Sequence, residues 1–193
     1  GDRGDAELTE DSPVGGQAAD GAGFLAELAG AWERAADPAR AAGLRVVHVR
    51  LGAVMTPAGG ALAKLLPVMK GGVGGPIGDG RQWLAWLSLD DAIDIFHRAL
   101  TDSSLSGPVN AVHPDRVRQK DFMARLGAVV NRPAFMPTPK WALRAAFGEM
   151  AEGTLLGGQN ARPAKLEAAG FAYREPTLEA ALAHGLGAQQ STV

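Results

Sequence analysis

The sequence predicts an α/β fold with a largely parallel sheet, followed by a small, mainly helical C-terminal lobe. Short runs rich in β-branched and aromatic residues alternate with amphipathic helical segments up to about residue 130. Beyond Asn131, prolines that precede short helical segments replace this alternation. The chain has 193 residues, of which 46% are hydrophobic, and this is enough for one core with a small appended lobe.

The first half of the chain contains three predicted elements. An amphipathic surface helix is predicted over about residues 22–36, with Asp20 as its N-cap. The segment LRVVHVRL, residues 44–51, is rich in β-branched residues and lies between two glycines, which favours a buried strand. The segment GGALAKLLPVMKGG predicts a short helix that Pro67 bends or ends, because proline lacks the amide hydrogen that a helix interior needs.

The middle of the chain continues the alternation, and the tail departs from it. A strand is predicted around residues 83–87, and Ser88 to Asp91 resembles a capping box that starts the helix DAIDIFHRAL. The strand PVNAV follows, and residues 119–130 are predicted to be helical. In the tail, a proline marks the start of a short helix at each of Thr138-Pro139, Arg162-Pro163 and Pro176-Thr177.

The composition excludes several classes of function. Lys and Arg number 19 and Asp and Glu number 21, and no basic run is dense enough to follow a phosphate backbone, so no nucleic-acid partner is expected. No apolar stretch approaches the ~20 residues of a spanning helix, so no membrane partner is expected. The absence of cysteine excludes disulfides and thiolate metal sites and favours a cytoplasmic location. We expect a small-molecule substrate, and no pattern indicates an oligomeric state.

Neither the histidines nor the paired aspartates indicate a catalytic or metal site. The histidines occur singly, at His48, His97, His113 and His184. They lack the i, i+4 spacing and the neighbouring carboxylates of a metal site, so structural roles are favoured. Asp90 and Asp91 could form a carboxylate pair, but consecutive helical residues point about 100° apart, and a capping role accounts for both. We therefore predict no metal site and assign no catalytic residue.

The segment GGPIGDGRQWLAWLSLDD, residues 74–91, combines a glycine-rich loop, two tryptophans and two acids. Its glycines form no GxxxxGK pattern, so we interpret the loop as a lip or hinge over a cleft. Trp83 and Trp86 are three residues apart in a predicted strand, which places their rings on opposite faces. One ring can pack in the core, and the other is free to line a pocket. The predicted substrate pocket includes Arg81, Gln82, Trp83 and Trp86.

The glycine motif GAGFLA, residues 21–26, matches a dinucleotide fingerprint only in form. No predicted strand precedes it, and no strand that ends in an acid lies about 20 residues further on, so we interpret it as a helix start. The chain begins at Gly1 without a methionine, in an acidic segment that lacks the basic start and apolar stretch of a signal peptide. We therefore expect that an N-terminal part is missing.

Three stretches resemble one known family: GGALAKLLPVMKGGVGGPIGDGRQWLAWLSLDD, LSGPVNAVHP and FGEMAEGTLLGGQNARPAKLEAAGF. They resemble the atypical extended short-chain dehydrogenase/reductases known as NAD(P)-dependent epimerase-like proteins, which end in a helical domain of unknown function. The resemblance implies that this chain corresponds to the C-terminal portion. Residues 1–115 would be an incomplete Rossmann-type epimerase domain with a substrate-lobe insertion at about 56–82, and residues 116–193 would be the mainly helical C-terminal domain.

The resemblance implies an NAD(P)-dependent epimerase or dehydratase-like oxidoreductase that acts on an unknown small molecule. The full-length protein would bind NAD or NADP, but we expect no binding by this chain alone, because the turn that holds the pyrophosphate would lie upstream. The family motif R-x-x-N-V-Y-G-P corresponds to RLGAVMTP, which places Arg50 in the substrate pocket. The implied cofactor contacts are Leu51, Gly52, Ala53 and Val54.

The sequence departs from the family where its chemistry resides. Residues 78–91 align with G-D-G-x-Q-x-R-D-F-V-H-V-D-D, but Leu84 replaces the arginine that reaches the diphosphate in sugar-nucleotide enzymes, and Ser88 replaces the histidine. Leucine supplies no cation, so a sugar-nucleotide substrate is disfavoured. The YxxxK pair is also absent, since Phe24 lies near the place of the tyrosine and Tyr173 has no lysine four residues later.

Three functions therefore remain open on the sequence. The chain is part of an enzyme, or it is part of a non-catalytic dinucleotide- or metabolite-binding protein of the same fold, or it is an interaction module without a ligand. A redox change of the cofactor would separate the first two functions, and independent folding of the chain would identify the third.

Overall fold

The computed structural model describes residues 2–14, 24–137 and 157–187. Their strands and helices confirm the predicted α/β class. In chain order they are β1 (Glu7–Leu8), α1 (Phe24–Arg34), α2 (Asp37–Ala41), β2 (Val47–Leu51), β3 (Ala53–Met55), α3 (Gly60–Lys70), β4 (Trp83–Leu84), β5 (Trp86–Ser88), α4 (Leu89–Thr101), β6 (Gly107–Ala111), β7 (Val117–Arg118), α5 (Gln119–Val129), β8 (Asn160–Ala161), α6 (Ala164–Ala168) and α7 (Leu178–Gly185).

The strands associate in four pairs, of which three are parallel. β2 pairs with β6 over five residues, β3 pairs with β5 over three, and β1 pairs with β8 over two. β4 and β7 form the antiparallel pair, in which Trp83 lies opposite Arg118 and Leu84 lies opposite Val117. Parallel pairing agrees with the predicted alternation of strands and helices, because each return to a parallel strand requires a crossover.

The chain changes its pairing partner at Gly52. The amide of Gly52 donates to the carbonyl of Ala111 at the end of β6, and the amide of Ala53 donates to the carbonyl of Ala85 beside β5. A Cβ atom on Gly52 would lie 2.9 Å from the oxygen of Ala85 and 3.0 Å from a methyl group of Val112. A glycine is therefore needed where β2 ends and β3 begins, because the neighbouring backbone approaches too closely for a side chain.

β5 separates two hydrophobic cores, since successive side chains of a strand point to opposite faces. Trp86 contributes to the first core, which is covered by α3, α5 and α7, and Leu87 contributes to the second core, beneath α4 and α6. The first core also contains Met55, Leu62, Leu66, Met69, Val117, Phe122, Met123, Leu126, Leu178, Ala181 and Leu182. The second core also contains Ala92, Ile95, Leu105, Val109, Ala111 and Leu166.

Helix starts are where the sequence predictions hold best. The side chain of Ser88 accepts a hydrogen bond from the amide of Asp91, and the side chain of Thr177 accepts one from the amide of Ala180, so α4 and α7 begin as predicted. α6 begins after Pro163, also as predicted. The predicted start at Thr138-Pro139 and the glycines of the GAGFLA motif lie outside the described residues.

Two predicted boundaries are wrong, and one alternative is excluded. Of the two effects expected of Pro67, to bend or to end the helix, the second does not occur, because α3 continues to Lys70 with Leu66 and Met69 buried in the first core. The strand predicted around residues 83–87 is two strands, β4 and β5, with different partners. The strand predicted at 44–51 begins at Val47.

Candidate functional site

A surface depression of about 410 Å³ lies where the end of the glycine-rich loop meets the N-terminal segment. Three of the predicted pocket residues line it: Arg81, Gln82 and Trp83. It is completed by Asp2, Gly4, Asp5, Asp79 and Arg118, none of which the sequence indicated. The depression therefore joins three separate parts of the chain, and it is the candidate site.

The pairing of β4 with β7 builds the aromatic wall of the depression. Directly opposite residues in an antiparallel pair share one face of the sheet, so the register brings Arg118 beside Trp83. The guanidinium carbon of Arg118 lies 3.9 Å from the centre of the Trp83 ring, within cation–π distance. Arg118 also donates to the backbone carbonyl of Arg81, which keeps the guanidinium in place over the indole.

The carboxylate of Asp5 lines the depression and contacts both Arg118 and Trp83. Its Oδ1 atom accepts hydrogen bonds from Nη2 of Arg118 at 2.6 Å and from Nε1 of Trp83 at 3.0 Å. The hydrogen bond from Arg118, followed by that from Trp83, holds the pKa of Asp5 below its usual value. Asp5 is therefore ionised at neutral pH, although its side chain is 73% exposed.

Arg81 supplies a second cation at the rim. Its amide donates to Oδ1 of Asp79 at 3.1 Å, but within the described residues its exposed guanidinium makes no hydrogen bond or ion pair. The positive charge of Arg81 contributes, in a minor way, to the lowered pKa of Asp5. The depression thus contains one guanidinium stacked on an aromatic ring and a second one directed to solvent.

Side-chain amides hold the end of the glycine-rich loop in a defined conformation. The amide of Ile77 donates to Oε1 of Gln119 at 2.9 Å, and Nε2 of Gln82 donates to the carbonyl of Ile77 at 3.1 Å. Gly80 has a φ of +64°, and a Cβ atom there would lie 2.6 Å from Cβ of Lys120. These contacts fix the loop against the start of α5, so its end forms a shaped wall of the depression.

Trp86 does not line the depression, which corrects its assignment to the substrate pocket. Its side chain is fully buried in the first core, stacked on the ring of His113 with 4.2 Å between centroids. Its Nε1 atom donates to the backbone carbonyl of Asp115 at 2.6 Å. Of the two tryptophans, Trp86 is therefore the one that packs in the core, and Trp83 is the one available to a ligand.

Arg50 also lies away from the depression. Its guanidinium binds both carboxylate oxygens of Glu33 on α1, at 2.8 and 3.0 Å, and it donates to the carbonyl of Glu10. The hydrogen bond from Arg50 lowers the pKa of Glu33. Within the described residues Arg50 thus ties β2 to α1, because a planar guanidinium matches a carboxylate in two-point contact.

The residues implied for cofactor contact form the junction between β2 and β3. Gly52 is packed between neighbouring backbones, Ala53 contacts the first core, and Val54 contacts the second core. Leu51 has a half-exposed side chain, at 48%, and can offer an apolar surface to a nicotinamide ring. In the described ranges no glycine-rich turn between a strand and a helix could cradle a pyrophosphate, so these residues do not fit a complete dinucleotide site.

Asp91 and Tyr173 have structural partners. Asp91 is fully buried, and its carboxylate accepts from the amide of Arg174 at 2.8 Å and from the hydroxyl of Ser88 at 2.6 Å. The hydroxyl of Tyr173 donates to the carbonyl of Val112 at 2.8 Å, and burial raises its pKa well above the usual range. Neither group lines the depression, and the hydrogen bonds of both are made to other parts of the chain. Neither is therefore placed to exchange a proton with a ligand there.

A larger depression, of about 540 Å³, lies on the outer side of α4. Its charged side chains are paired, since Asp94 binds Arg174 and Arg98 binds Asp102. The hydrogen bond from Arg174 also lowers the pKa of Asp94. We prefer the smaller depression as the candidate site, because it combines predicted pocket residues with a cation that has no partner among the described residues.

Two features are absent from the described residues. Among residues 2–14, 24–137 and 157–187, no three His, Asp or Glu side chains lie close enough together to ligate a metal ion. None of the helices in these ranges has the length and apolar character needed to cross a membrane.

Comparison with known proteins identifies relatives over most of the chain. A family model described as a domain of unknown function (DUF1731) matches residues 138–185. An epimerase family protein of Mycobacterium bovis is 43% identical over 176 residues, which are 91% of this chain and 58% of that protein. The chain therefore spans little more than half the length of this curated relative.

Solved structures agree with these matches. The crystal structure of human epimerase family protein SDR39U1 (isoform 2) with NADPH is similar to this chain, with a TM-score of 0.85 and 34% identity, over 98% of this chain and 62% of that one. A nucleoside-diphosphate sugar epimerase from Corynebacterium glutamicum has a TM-score of 0.75 and 36% identity, over 96% of this chain and 34% of that one. These similarities confirm the resemblance and the fold class expected from the sequence.

Proposed function

We infer from the homology of this chain to the epimerase family proteins that it contributes the substrate side of an NAD(P)-dependent, epimerase-like oxidoreductase. Its own role is to bind a small molecule in the depression lined by Asp5, Arg81, Trp83 and Arg118. The observation that carries the proposal is the convergence of an aromatic ring and two guanidinium groups on one concave surface. Such a combination of one apolar face and a few directed polar groups is typical of small-molecule sites.

The described residues supply binding and orientation. Trp83 offers a ring edge and an indole N–H, Arg118 offers a fixed guanidinium, and the end of the loop held by Gln82 and Gln119 contributes Asp79 and Arg81 to the lining. NAD or NADP, when bound, would accept or donate the hydride. We assign no proton-transfer residue among the described ranges, and a cytoplasmic location is proposed only on the absence of cysteine.

A non-catalytic, metabolite-binding protein of the same fold is the second candidate. The observation in its favour is that Tyr173, the only tyrosine of the chain, is half-buried and donates to a backbone carbonyl. A tyrosine that acts as a general base needs a pKa lowered by a neighbouring cation, and burial raises that of Tyr173. A cofactor redox change that depends on a bound substrate would exclude this candidate.

The proposal is tested by a screen of small oxo and hydroxy compounds against the purified chain, with intrinsic tryptophan fluorescence as the signal. We expect that binding compounds change the fluorescence of the wild-type chain, and that the change disappears in Trp83→Phe. Val49→Ala, a conservative change on β2 away from the depression, serves as the matched control and should keep the change. Compounds whose signal survives in Trp83→Phe would place the ligand site elsewhere.

A calorimetric titration with NADPH tests whether this chain alone binds the cofactor. We expect no micromolar affinity for the chain alone, because the few apolar contacts that Leu51 offers do not offset the cost of immobilising so large a ligand. A micromolar dissociation constant would mean that the cofactor site is misplaced, and the GAGFLA motif at residues 21–26 would then be the first segment to mutate.

A further inference from the structure

We propose that the carboxylate of Asp5 occupies the position of a ligand carboxylate, so that the candidate site takes a small-molecule carboxylate and Asp5 competes with it. The inference rests on the proposed function, because it concerns the same depression. It names the chemical class of the ligand and a contact within the chain that opposes binding.

The site has hydrogen-bonding capacity that Asp5 does not use. Both hydrogen bonds to Asp5 reach the same oxygen, Oδ1, which accepts from Nη2 of Arg118 and from Nε1 of Trp83. Within the described residues Oδ2 of Asp5 accepts no hydrogen bond, and the guanidinium of Arg81 donates none. The depression therefore presents three donor groups, and Asp5 uses two of them through one oxygen atom.

The side chain of Asp5 can also leave without unfolding the segment that carries it. The backbone carbonyl of Asp5 accepts from Nδ2 of Asn160, and the carboxylate of Asp2 accepts from the amides of Gly4 and Gly158. β1, which follows at once, is paired with β8. A rotation of the exposed Asp5 side chain thus frees Arg118 and Trp83 while the backbone stays anchored.

The two guanidinium groups of the depression also favour a carboxylate locally. With Asp5 turned away, Arg118 loses the one carboxylate that pairs with it among the described residues, while Asp2 is held by backbone amides and Asp79 accepts from the amide of Arg81. A carboxylate on a ligand would take the place of Asp5 beside Arg118 and could reach Arg81 as well. Charge-assisted hydrogen bonds to guanidinium are stronger than neutral ones, and an exposed ion pair such as that of Asp5 contributes little on its own.

The experiment is a calorimetric titration of the chain with succinate, with inorganic phosphate and with the uncharged succinamide. We expect succinate to bind, succinamide to bind at least about tenfold more weakly, and Asp5→Asn to bind succinate about threefold or more tighter than the wild type. The matched control is Asp37→Asn. It removes an exposed carboxylate that lies away from the depression and pairs with Arg40 at a distance of 2.7 Å. It should bind succinate like the wild type.

Two more variants separate recognition from folding. Arg81→Gln should weaken succinate binding at least about threefold, and because this guanidinium has no partner within the described residues the melting temperature should not change. Arg118→Lys keeps the charge but loses the stacked, planar group, and it should also weaken binding. The succinate affinities of the variants are compared directly where their melting temperatures equal that of the wild type. Where a melting temperature is lower, the affinity is calculated from the concentration of folded protein.

The outcomes are distinct from those of the proposed function. Equal succinate affinity in Asp5→Asn and the wild type would overturn the competition, and phosphate binding as tight as succinate would overturn the assignment to a carboxylate. If screened neutral compounds bind in a Trp83-dependent manner while succinate does not bind, the proposed function stands and this inference fails.

Discussion

The surroundings of Trp83 and of Trp86 differ in a way that separates a site from a core. Trp86 is fully buried, and its Nε1 atom donates to a backbone carbonyl, that of Asp115. Trp83 is half-buried, and its Nε1 atom donates to the carboxylate of an exposed side chain, Asp5. A backbone acceptor cannot leave without unfolding, whereas an exposed carboxylate can, so only Trp83 has a hydrogen bond that a ligand can take over.

Asp91 and Asp5 differ from each other in the same way as the two tryptophans. The carboxylate of Asp91 is buried and accepts from a backbone amide and a hydroxyl, which joins α4 to the tail segment at Arg174. The carboxylate of Asp5 is exposed and accepts from two side chains. The partners of Asp91 are fixed by the fold, and those of Asp5 are also the groups that recognise a ligand.

The largest expected effect is the loss of stability in Trp86→Ala. The substitution should lower the free energy of unfolding by about 3–5 kcal/mol, because it leaves a cavity beside His113 and removes the donor of the part-buried Asp115 carbonyl. Trp83→Ala should cost about 1 kcal/mol or less, since it removes a cation–π contact at the surface. Urea denaturation of both variants measures the difference, and Trp86→Phe replaces Trp86→Ala if the latter does not fold. Equal losses would contradict the division between core and site.

Asp91→Ala should have the next largest effect. It leaves the hydroxyl of Ser88 buried without an acceptor, at about 1–3 kcal/mol, and it removes the acceptor of the part-buried amide of Arg174, at about 1 kcal/mol, so a total of about 2–4 kcal/mol is expected. Asp90→Ala, one residue away and partly exposed, is the matched control and should change the free energy of unfolding by no more than about 0.5 kcal/mol. Loss of ligand binding in Asp91→Ala without loss of stability would instead indicate that Asp91 acts in the site.

The third expected effect is a pH-dependent loss of stability. It arises from His113, whose ring stacks on the buried Trp86. His113 donates through Nε2 to the carbonyl of Glu175 and accepts at Nδ1 from the amide of Asp115, which is the pattern of a neutral ring. Burial, opposed by the Glu175 carbonyl and by the charges of Asp115 and Asp91, lowers its pKa below the usual value. The unfolded chain therefore takes up the proton first as the pH falls.

Because the pKa of His113 is lower in the folded chain, the associated stability is fully present above about pH 6.5 and is lost as the pH falls below that value. Melting temperatures from about pH 7.5 to about pH 5 should fall for the wild type and change less for His113→Gln. The lowered pKa values of Asp5 and Asp94 act in a separate, more acidic window. A melting temperature that is independent of pH in this range would show that His113 is not protonated on unfolding.

Local features of the chain were predictable because their causes lie within a few residues. The cap of α4 depends on Ser88 and Asp91, three positions apart, and the starts of α6 and α7 depend on Pro163 and Thr177. The alternation of strands and helices likewise predicted parallel pairing. The spacing of Trp83 and Trp86 predicted different surroundings for the two rings, but the single strand on which that prediction rested is wrong, since the two residues lie in β4 and β5. Helix caps and side-chain periodicity are short-range effects, so a single sequence contains them.

The sequence by itself thus determined the α/β class, the helix starts and the presence of one buried and one available tryptophan. Only the tertiary structure decided which tryptophan is which, that α3 continues past Pro67, and that Arg50 binds Glu33. It also decided the composition of the candidate site, in which Asp5 meets partners 78 and 113 positions away in the chain. The physical reason is that such contacts depend on strand register and on competition among buried side chains, and no local pattern records either of these.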